Sequence, residues 1–333
     1  MQTDRPKILI LRFSSIGDIL LTTPVLRGLK KQLGAEVHVL CKAAFKPVLE
    51  ANPYVDELHT FEKKLGEVMP ALRRERFDLV IDLHKNLRSS RVKWQLRRPS
   101  FSFQKLNLEK WLLVNLKWNL LPDRHIVDRY LDTVRHLGVI NDEQGLDYFI
   151  PPSQEVEPHL LFREKGEPGF GYLAVVLAAA HPTKRPTEEQ YIELCRQLRE
   201  PVALMGGPAE AELGERIARE AGEGTANFCG ALSLHHSASL IRQARLVITP
   251  DTGLMHIAAA FGKEIISLWG NTVPAFGMYP YFGRKGGRNH TLEVEGLDCR
   301  PCSKIGFEQC PKGHFRCMKD LSLQRIRSLA QGD

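Results

Sequence analysis

Short apolar runs alternate with helical repeats along this chain, and several of the runs end in loops of small and charged residues. The first run, Lys7–Phe13, is continuous and apolar, as expected of a strand buried on both faces of a parallel sheet. From Asp18 to Leu33, Ile19, Leu20, Thr23, Leu26, Leu29 and Leu33 then fall on roughly one face of a helix. The turn between them, Ser14-Ser-Ile-Gly-Asp18, sets a glycine and a carboxylate at the carboxyl end of a strand, beside a helix N-terminus. Open α/β sheets bind ligands at that edge, and an aspartate there also serves simply as a helix cap.

The pattern persists. In the first half it predicts strands over 7–13, 36–41, 57–61, 77–82 and 99–103, with helices over 18–33, 44–51, 65–76, 89–96 and 126–137. Such alternation implies an α/β, doubly wound parallel sheet. Pro151-Pro152 opens a linker over about 150–168, and the alternation restarts at Tyr172–Leu177. Thr187-Glu-Glu-Gln190 reads as a capping box for a helix to Arg199. A strand over 202–205 ends in Gly206-Gly207-Pro208, a helix runs from there to Ala221, and another covers 234–244. Leu246–Pro250 is a strand, Asp251-Thr252-Gly253-Leu254-Met255-His256 opens a helix to Phe261, and Glu264–Trp269 is the next strand. A chain of 333 residues holds two domains of about 150 residues each. The expected division is 1–155, then 166–320, with a terminal helix and tail over 321–333. Two nucleotide-fold halves facing across a cleft is the simplest arrangement that uses both aspartate-glycine loops.

Net charge is +7, and its placement is more informative than its size. Residues 85–117 hold nine basic side chains against Glu109 alone, together with Trp94, Trp111, Phe101 and Phe103, and Trp118 follows directly. Basic residues among tryptophans suit an anionic partner at a lipid interface. No run of 18 apolar residues occurs, and the first residues lack a signal-peptide pattern, so a cytoplasmic protein is expected, peripheral to the inner membrane. Cys41, Cys195 and Cys229 are isolated in apolar surroundings and read as core. Cys299, Cys302, Cys310 and Cys317 cluster; in a reducing compartment that favours a structural zinc or iron over disulfides, with His314 as a substitute ligand.

Arg12-Phe-Ser-Ser-Ile-Gly-Asp18, Leu83-His-Lys-Asn-Leu-Arg-Ser89, Pro182-Thr-Lys-Arg185 and Asp251-Thr-Gly-Leu-Met-His256 together resemble the ADP-heptose:lipopolysaccharide heptosyltransferases, glycosyltransferase family 9. The resemblance runs from about residue 7 to 320. It implies two Rossmann-like domains of the GT-B type and an inverting transfer of heptose from ADP-heptose to an inner-core lipopolysaccharide acceptor, with no metal needed for catalysis. On this reading Asp18 is the catalytic base, and Ser15, Gly17, Lys85, Arg88 and Arg91 bind the anionic acceptor. Lys184 neutralises the departing diphosphate. Thr183, Lys184, Asp251, Thr252, Gly253, His256 and Gly206 bind the donor, Asp251 through sugar hydroxyls because its carboxylate repels phosphate. Two rivals are a related transferase with another nucleotide sugar or a protein acceptor, and a noncatalytic nucleic-acid-binding protein. The second has no use for two aspartate-glycine loops, so no nucleic-acid partner is expected.

Overall fold

The computed structural model describes residues 5–162 and 171–332, so part of the expected linker lies outside the described residues. Contacts divide the chain into two units: one of residues 1–105 with 124–149, the other of 106–123 with 150–333.

In the first unit the elements are β1 (Lys7–Leu11), α1 (Ile16–Leu20), α2 (Thr23–Gln32), β2 (Glu36–Lys42), β3 (Glu57–Phe61), α3 (Met69–Arg74), β4 (Leu79–Asp82), α4 (Leu87–Leu96) and β5 (Ser100–Ser102). Helix α5 (Asn107–Leu116) belongs to the second unit, and α6 (Ile126–Leu131) returns to the first. The sheet order is β3-β2-β1-β4-β5 with every pair parallel. Leu9, Leu11, Phe13, Leu40, Phe61, Leu72, Phe77, Val80 and Val92 form a continuous core on one side. Helix α2 is moored by the buried Arg27, which donates to Asp142 at 2.7 Å, to the Gly145 carbonyl at 3.0 Å and to Asp147. Removing one side of such a buried ionic cluster costs about 3–5 kcal/mol.

The second unit continues with α7 (Pro158–Phe162), β6 (Leu173–Val176), α8 (Glu188–Gln197), β7 (Val202–Met205), α9 (Ala211–Ala221), β8 (Thr225–Asn227), α10 (Leu234–Gln243) and β9 (Leu246–Pro250). After these come α11 (Gly253–Ala260), β10 (Glu264–Trp269), β11 (Asn289–Glu293), α12 (Arg316–Lys319) and α13 (Leu323–Gln331). Its sheet, β11-β10-β9-β6-β7-β8, is also parallel throughout. The expected capping box is present: Thr187 Oγ1 accepts from Gln190 N–H at 3.3 Å, and Gln190 Oε1 accepts from Thr187 N–H at 3.1 Å.

Differences from the sequence expectation have local causes. The single helix expected over 18–33 starts at Ile16 and splits, because the Thr22 and Thr23 hydroxyls take the Ile19 and Leu20 carbonyls at 2.7 and 2.8 Å. Pro24 supplies no N–H to bridge the gap. The helix expected over 65–76 is interrupted at Val68, just ahead of Pro70, and 44–51 forms a 3₁₀ turn around Pro47. The edge strands β8 and β11 escape a sequence reading: β8 is three residues long, and β11 lacks an apolar run. Residues 106–123, expected in the first domain, pack with the second unit. Lys117 Nζ, just past α5, donates to the Cys299 and Pro301 carbonyls at 3.1 and 2.8 Å. Phe103, grouped above with the interfacial aromatics, is a core residue 4.8 Å from the Tyr130 ring. Among the described residues no helix is long and apolar enough to cross a membrane.

Candidate functional site

In each sheet the strand order reverses once, between β1 and β4 in the first unit and between β6 and β9 in the second. Loops diverge at the carboxyl ends of such a pair and leave a crevice for ligands. Asp18 and Lys85 lie in the segments after β1 and β4 at the first of these points, and Lys184 and Asp251 in those after β6 and β9 at the second; Gly206 instead follows β7, and Arg88 and Arg91 lie along α4.

In the first unit Asp18 occupies the first turn of α1, not its cap; Ser15 is the cap residue. Asp18 Oδ2 accepts from the Ser15 N–H at 3.3 Å and the Ser15 hydroxyl at 3.1 Å, while Oδ1 lies 2.5 Å from Arg12 Nη2. Burial pushes the Asp18 carboxyl up, but Arg12 and the Ser15 donors outweigh it and hold the group below the ordinary aspartate value. Arg12 is itself buried and spans the switch point. Its Nη1 donates to the Leu83 carbonyl at 2.5 Å and to Tyr130 Oη at 3.0 Å. Gly17 is buried within α1.

The β4 loop is shaped by the fully buried Asp82. Its Oδ1 accepts from the His84 and Lys85 N–H groups at 3.0 and 2.7 Å, and its Oδ2 from Ser89 Oγ at 2.8 Å and Lys93 Nζ at 3.0 Å. Lys85 takes a left-handed conformation (φ 49°), and Asn86 with Ser89 forms the capping box of α4. Lys85, Arg88 and Arg91 are exposed. His84 lies in the same loop, its N–H held by Asp82. Its ring lies 4.6 Å from Phe13, and its buried Nδ1 has no hydrogen-bond partner. Burial, with Arg12 and Lys105 nearby, pushes its pKa down to about 4, so the imidazole is neutral at physiological pH. The Leu83–Ser89 motif includes this residue, yet only the fold brings it beside Phe13.

In the second unit Lys184 and Asp251, from the β6 and β9 loops, form an ion pair of 2.5 Å. Thr252 caps α11 by accepting from the Leu254 N–H at 3.2 Å, with Gly253 at the first helical position and His256 buried one turn on. Thr183 is buried and its hydroxyl is committed to Phe307, accepting its N–H at 2.8 Å and donating to its carbonyl at 2.9 Å. Thr183 therefore ties two loops together and leaves Lys184 as the cation of that turn. Gly206 is required for packing, since a Cβ there would stand 2.9 Å from Cys229 Sγ and Glu210 Cβ.

The loop after β10 adds residues that carried no motif. Arg300 takes the carbonyls of Trp269, Gly270 and Thr272 at 3.3, 2.6 and 3.2 Å and pairs with Glu293 at 2.7 Å; Cys302 N–H takes the Asn271 carbonyl at 3.0 Å. The cysteine-bearing loop thus fixes the backbone turn beside the β9 loop.

Of the clustered cysteines, Cys299 Sγ lies 3.8 Å from His314 Nε2, and Cys302 Sγ donates to the Cys299 carbonyl at 3.0 Å. Burial, reinforced by neighbouring thiols, raises Cys302 to about 11 and Cys317 to about 12. Among the described residues, the group with three ligand atoms within 4.8 Å of one another is Glu36, His38 and Glu75 instead. Lys7 Nζ already stands 2.9 Å from both of those carboxylates, at the edge of the sheet away from Asp18. Cys41, Cys195 and Cys229 are buried core thiols raised to about 12 by desolvation.

Comparison with known proteins identifies the family and the fold. The chain is 28% identical over 296 residues to lipooligosaccharide heptosyltransferase 2 of Haemophilus influenzae, covering 81% of this chain and 84% of that one. A glycosyltransferase family 9 structure from Veillonella parvula shares its fold at a TM-score of 0.79 and 22% identity, covering 100% and 98% of the two chains. The Escherichia coli heptosyltransferase WaaC, solved with ADP, follows at a TM-score of 0.68 and 20% identity, covering 98% and 97%. The family model described as glycosyltransferase family 9 (heptosyltransferase) matches residues 66–295. With two parallel α/β sheets of the GT-B type and that match over most of its length, the chain belongs to glycosyltransferase family 9, the heptosyltransferases.

Proposed function

We propose that this protein transfers heptose from ADP-heptose to the inner core of a lipopolysaccharide or lipooligosaccharide, with inversion at the anomeric carbon. The observation that carries the reading is the pair of ionic sites at the two switch points, Arg12–Asp18 and Lys184–Asp251. The first unit takes the acceptor and the second the nucleotide sugar. As the acceptor oxygen attacks the anomeric carbon, Asp18 removes its proton and the bond to the β-phosphate oxygen of ADP breaks. A carboxylate held at low pKa is a weak base toward a sugar hydroxyl, so its proton transfer belongs late in the displacement, when the new C–O bond has acidified the hydroxyl. Lys184 and the N-terminal amides of α11 stabilise the negative charge that gathers on ADP.

Asp251, Thr252, Gly253, His256 and Gly206 complete the donor side, with Asp251 accepting from sugar hydroxyls. Ser15, Gly17, Lys85, Arg88 and Arg91 complete the acceptor side, where carboxylate and phosphate groups meet exposed cations. No metal is needed for the transfer, since the diphosphate charge is met by Lys184 and backbone amides. Soft thiolates at Cys299, Cys302, Cys310 and Cys317 suit zinc or iron, and their loop carries Arg300, so a metal there acts on structure. Protein and donor are incubated with a delipidated inner-core oligosaccharide, with ADP-heptose run against UDP- and GDP-sugars. One added heptose by mass spectrometry, from the ADP-sugar alone, supports the reading; transfer from another nucleotide sugar alone refutes it.

A further inference from the structure

Helix α4 turns an unusual face to solvent. Leu87 is 91% exposed and Trp94 73% exposed. At about 100° per residue, Leu87, Arg91 and Trp94 fall within roughly 60° of one another around the axis. Ser89 and Val92, the buried positions, lie on the opposite side. Exposed Arg88 flanks this stripe, and exposed Arg97 and Arg98 follow at its end. None of these four arginines has an ion-pair partner among the described residues, and no Asp or Glu occurs between Leu83 and Leu108. The one basic side chain of α4 that is neutralised, Lys93, turns inward to Asp82.

A single exposed leucine is ordinary. A leucine and a tryptophan on one stripe, flanked by arginines with no carboxylate to balance them, are the chemistry of an interfacial helix. Anionic phosphates alone account for the arginines but leave the apolar pair in water. An apolar protein surface accounts for the pair but leaves four cations uncompensated. A bilayer of anionic lipids meets both requirements, because aromatic and aliphatic side chains enter the headgroup boundary while guanidinium groups meet phosphate.

We propose that α4 seats this protein on an anionic lipid bilayer, with Leu87 and Trp94 entering the headgroup boundary, Arg97 and Arg98 lying among lipid phosphates, and Arg88 and Arg91 meeting bilayer phosphates until a lipid-borne acceptor replaces them with its own. Leu87 follows His84 by three residues, a span of no more than about 11 Å of chain. His84 packs on Phe13 of the Asp18 loop, so seating α4 holds the acceptor side of the site at the level where a lipid-borne sugar is presented. The purpose rests on the heptosyltransferase reading above; the seating itself is measured without either substrate.

The test is co-sedimentation of the full chain with vesicles of phosphatidylglycerol and phosphatidylethanolamine, against vesicles of phosphatidylcholine. Wild type should pellet with the anionic vesicles only. Leu87→Ser with Trp94→Ser should lower that partition at least about ten-fold. Arg91→Gln with Arg98→Gln should weaken it and reduce the preference for anionic lipid. Ile140→Ser, a change at another exposed apolar residue of the first unit, serves as the control and should bind as wild type. The serine double variant should keep its turnover on a delipidated acceptor and lose it on an acceptor embedded in vesicles. Equal binding to both vesicle types, or unchanged binding by the serine variant, overturns the proposal. So does displacement of vesicle-bound protein by RNA or polyglutamate at physiological salt, if the serine variant binds those polymers as well as wild type does. Vesicle binding without any sugar transfer would instead refute the proposed reaction and leave the seating standing.

Discussion

Lys184 Nζ stands 2.5 Å from Asp251 Oδ2, with side-chain exposures of 9% and 16%. The two residues lie about 70 positions apart and meet because β6 and β9 are neighbours in the sheet. Burying such a pair gains little stability, since desolvation offsets much of the attraction. On the proposed reading it holds the lysine in place before a diphosphate arrives.

Lys184→Ala should therefore weaken ADP binding and slow transfer together, the latter by about 100-fold or more, as for other lost charge-stabilising donors. Calorimetric titration with ADP and initial rates read the two effects. An unchanged ADP affinity and rate would reduce the loop to packing.

Asp18→Asn should preserve folding and ADP affinity while cutting turnover at least about 100-fold, the usual range for a lost general base. Because Arg12 and Ser15 hold this carboxyl below the ordinary value of about 3.9, the loss of base on the acid side should lie below about pH 4. The same depression stabilises the fold: its contribution is complete above the unfolded-state pKa and drains away as pH falls through the folded one. A pH–rate profile with an acid limb near neutrality would assign the base elsewhere.

Arg300 is the mooring of the turn after β10, with five protein acceptors and a guanidinium only 7% exposed. Arg300→Leu leaves Glu293 and several carbonyls without their donor. Urea unfolding should show a loss of about 2–3 kcal/mol, the upper scale for leaving buried acceptors without their donor. A change under about 0.5 kcal/mol would show the turn to be held by its neighbours.

The clustered cysteines make a separate prediction. Their thiols are pushed to about 11 at Cys302 and about 12 at Cys317, so a metal must displace protons to bind. Zinc or ferrous iron added to reduced protein should acidify the solution, bind near one equivalent per chain, and bind more tightly as pH rises. A chelator should then lower Tm. Fully active protein with reduced thiols, no metal and an unchanged Tm would return the four cysteines to packing.

Much of the fold is legible in the residue order because a buried parallel strand announces itself locally. Glu57–Phe61, Val202–Met205, Leu246–Pro250 and Glu264–Trp269 stand as strands at the expected bounds; the last three are apolar enough to be covered on both faces, and the first is a half-exposed edge strand. The Thr187 capping box is equally local, four residues satisfying one another. The strand-end loops that carry Asp18 and Lys184 were legible in the sequence. The structure alone decided which groups meet them: Arg12 with Asp18 and Tyr130, Lys184 with Asp251, His84 with Phe13, and Arg300 with the Asn271 turn. It also decided that α5 packs with the second unit and that Thr183 spends its hydroxyl on Phe307. The physical reason is range. Strand and cap signals arise within a few residues, whereas an ion pair between distant loops depends on strand order, which periodicity does not encode.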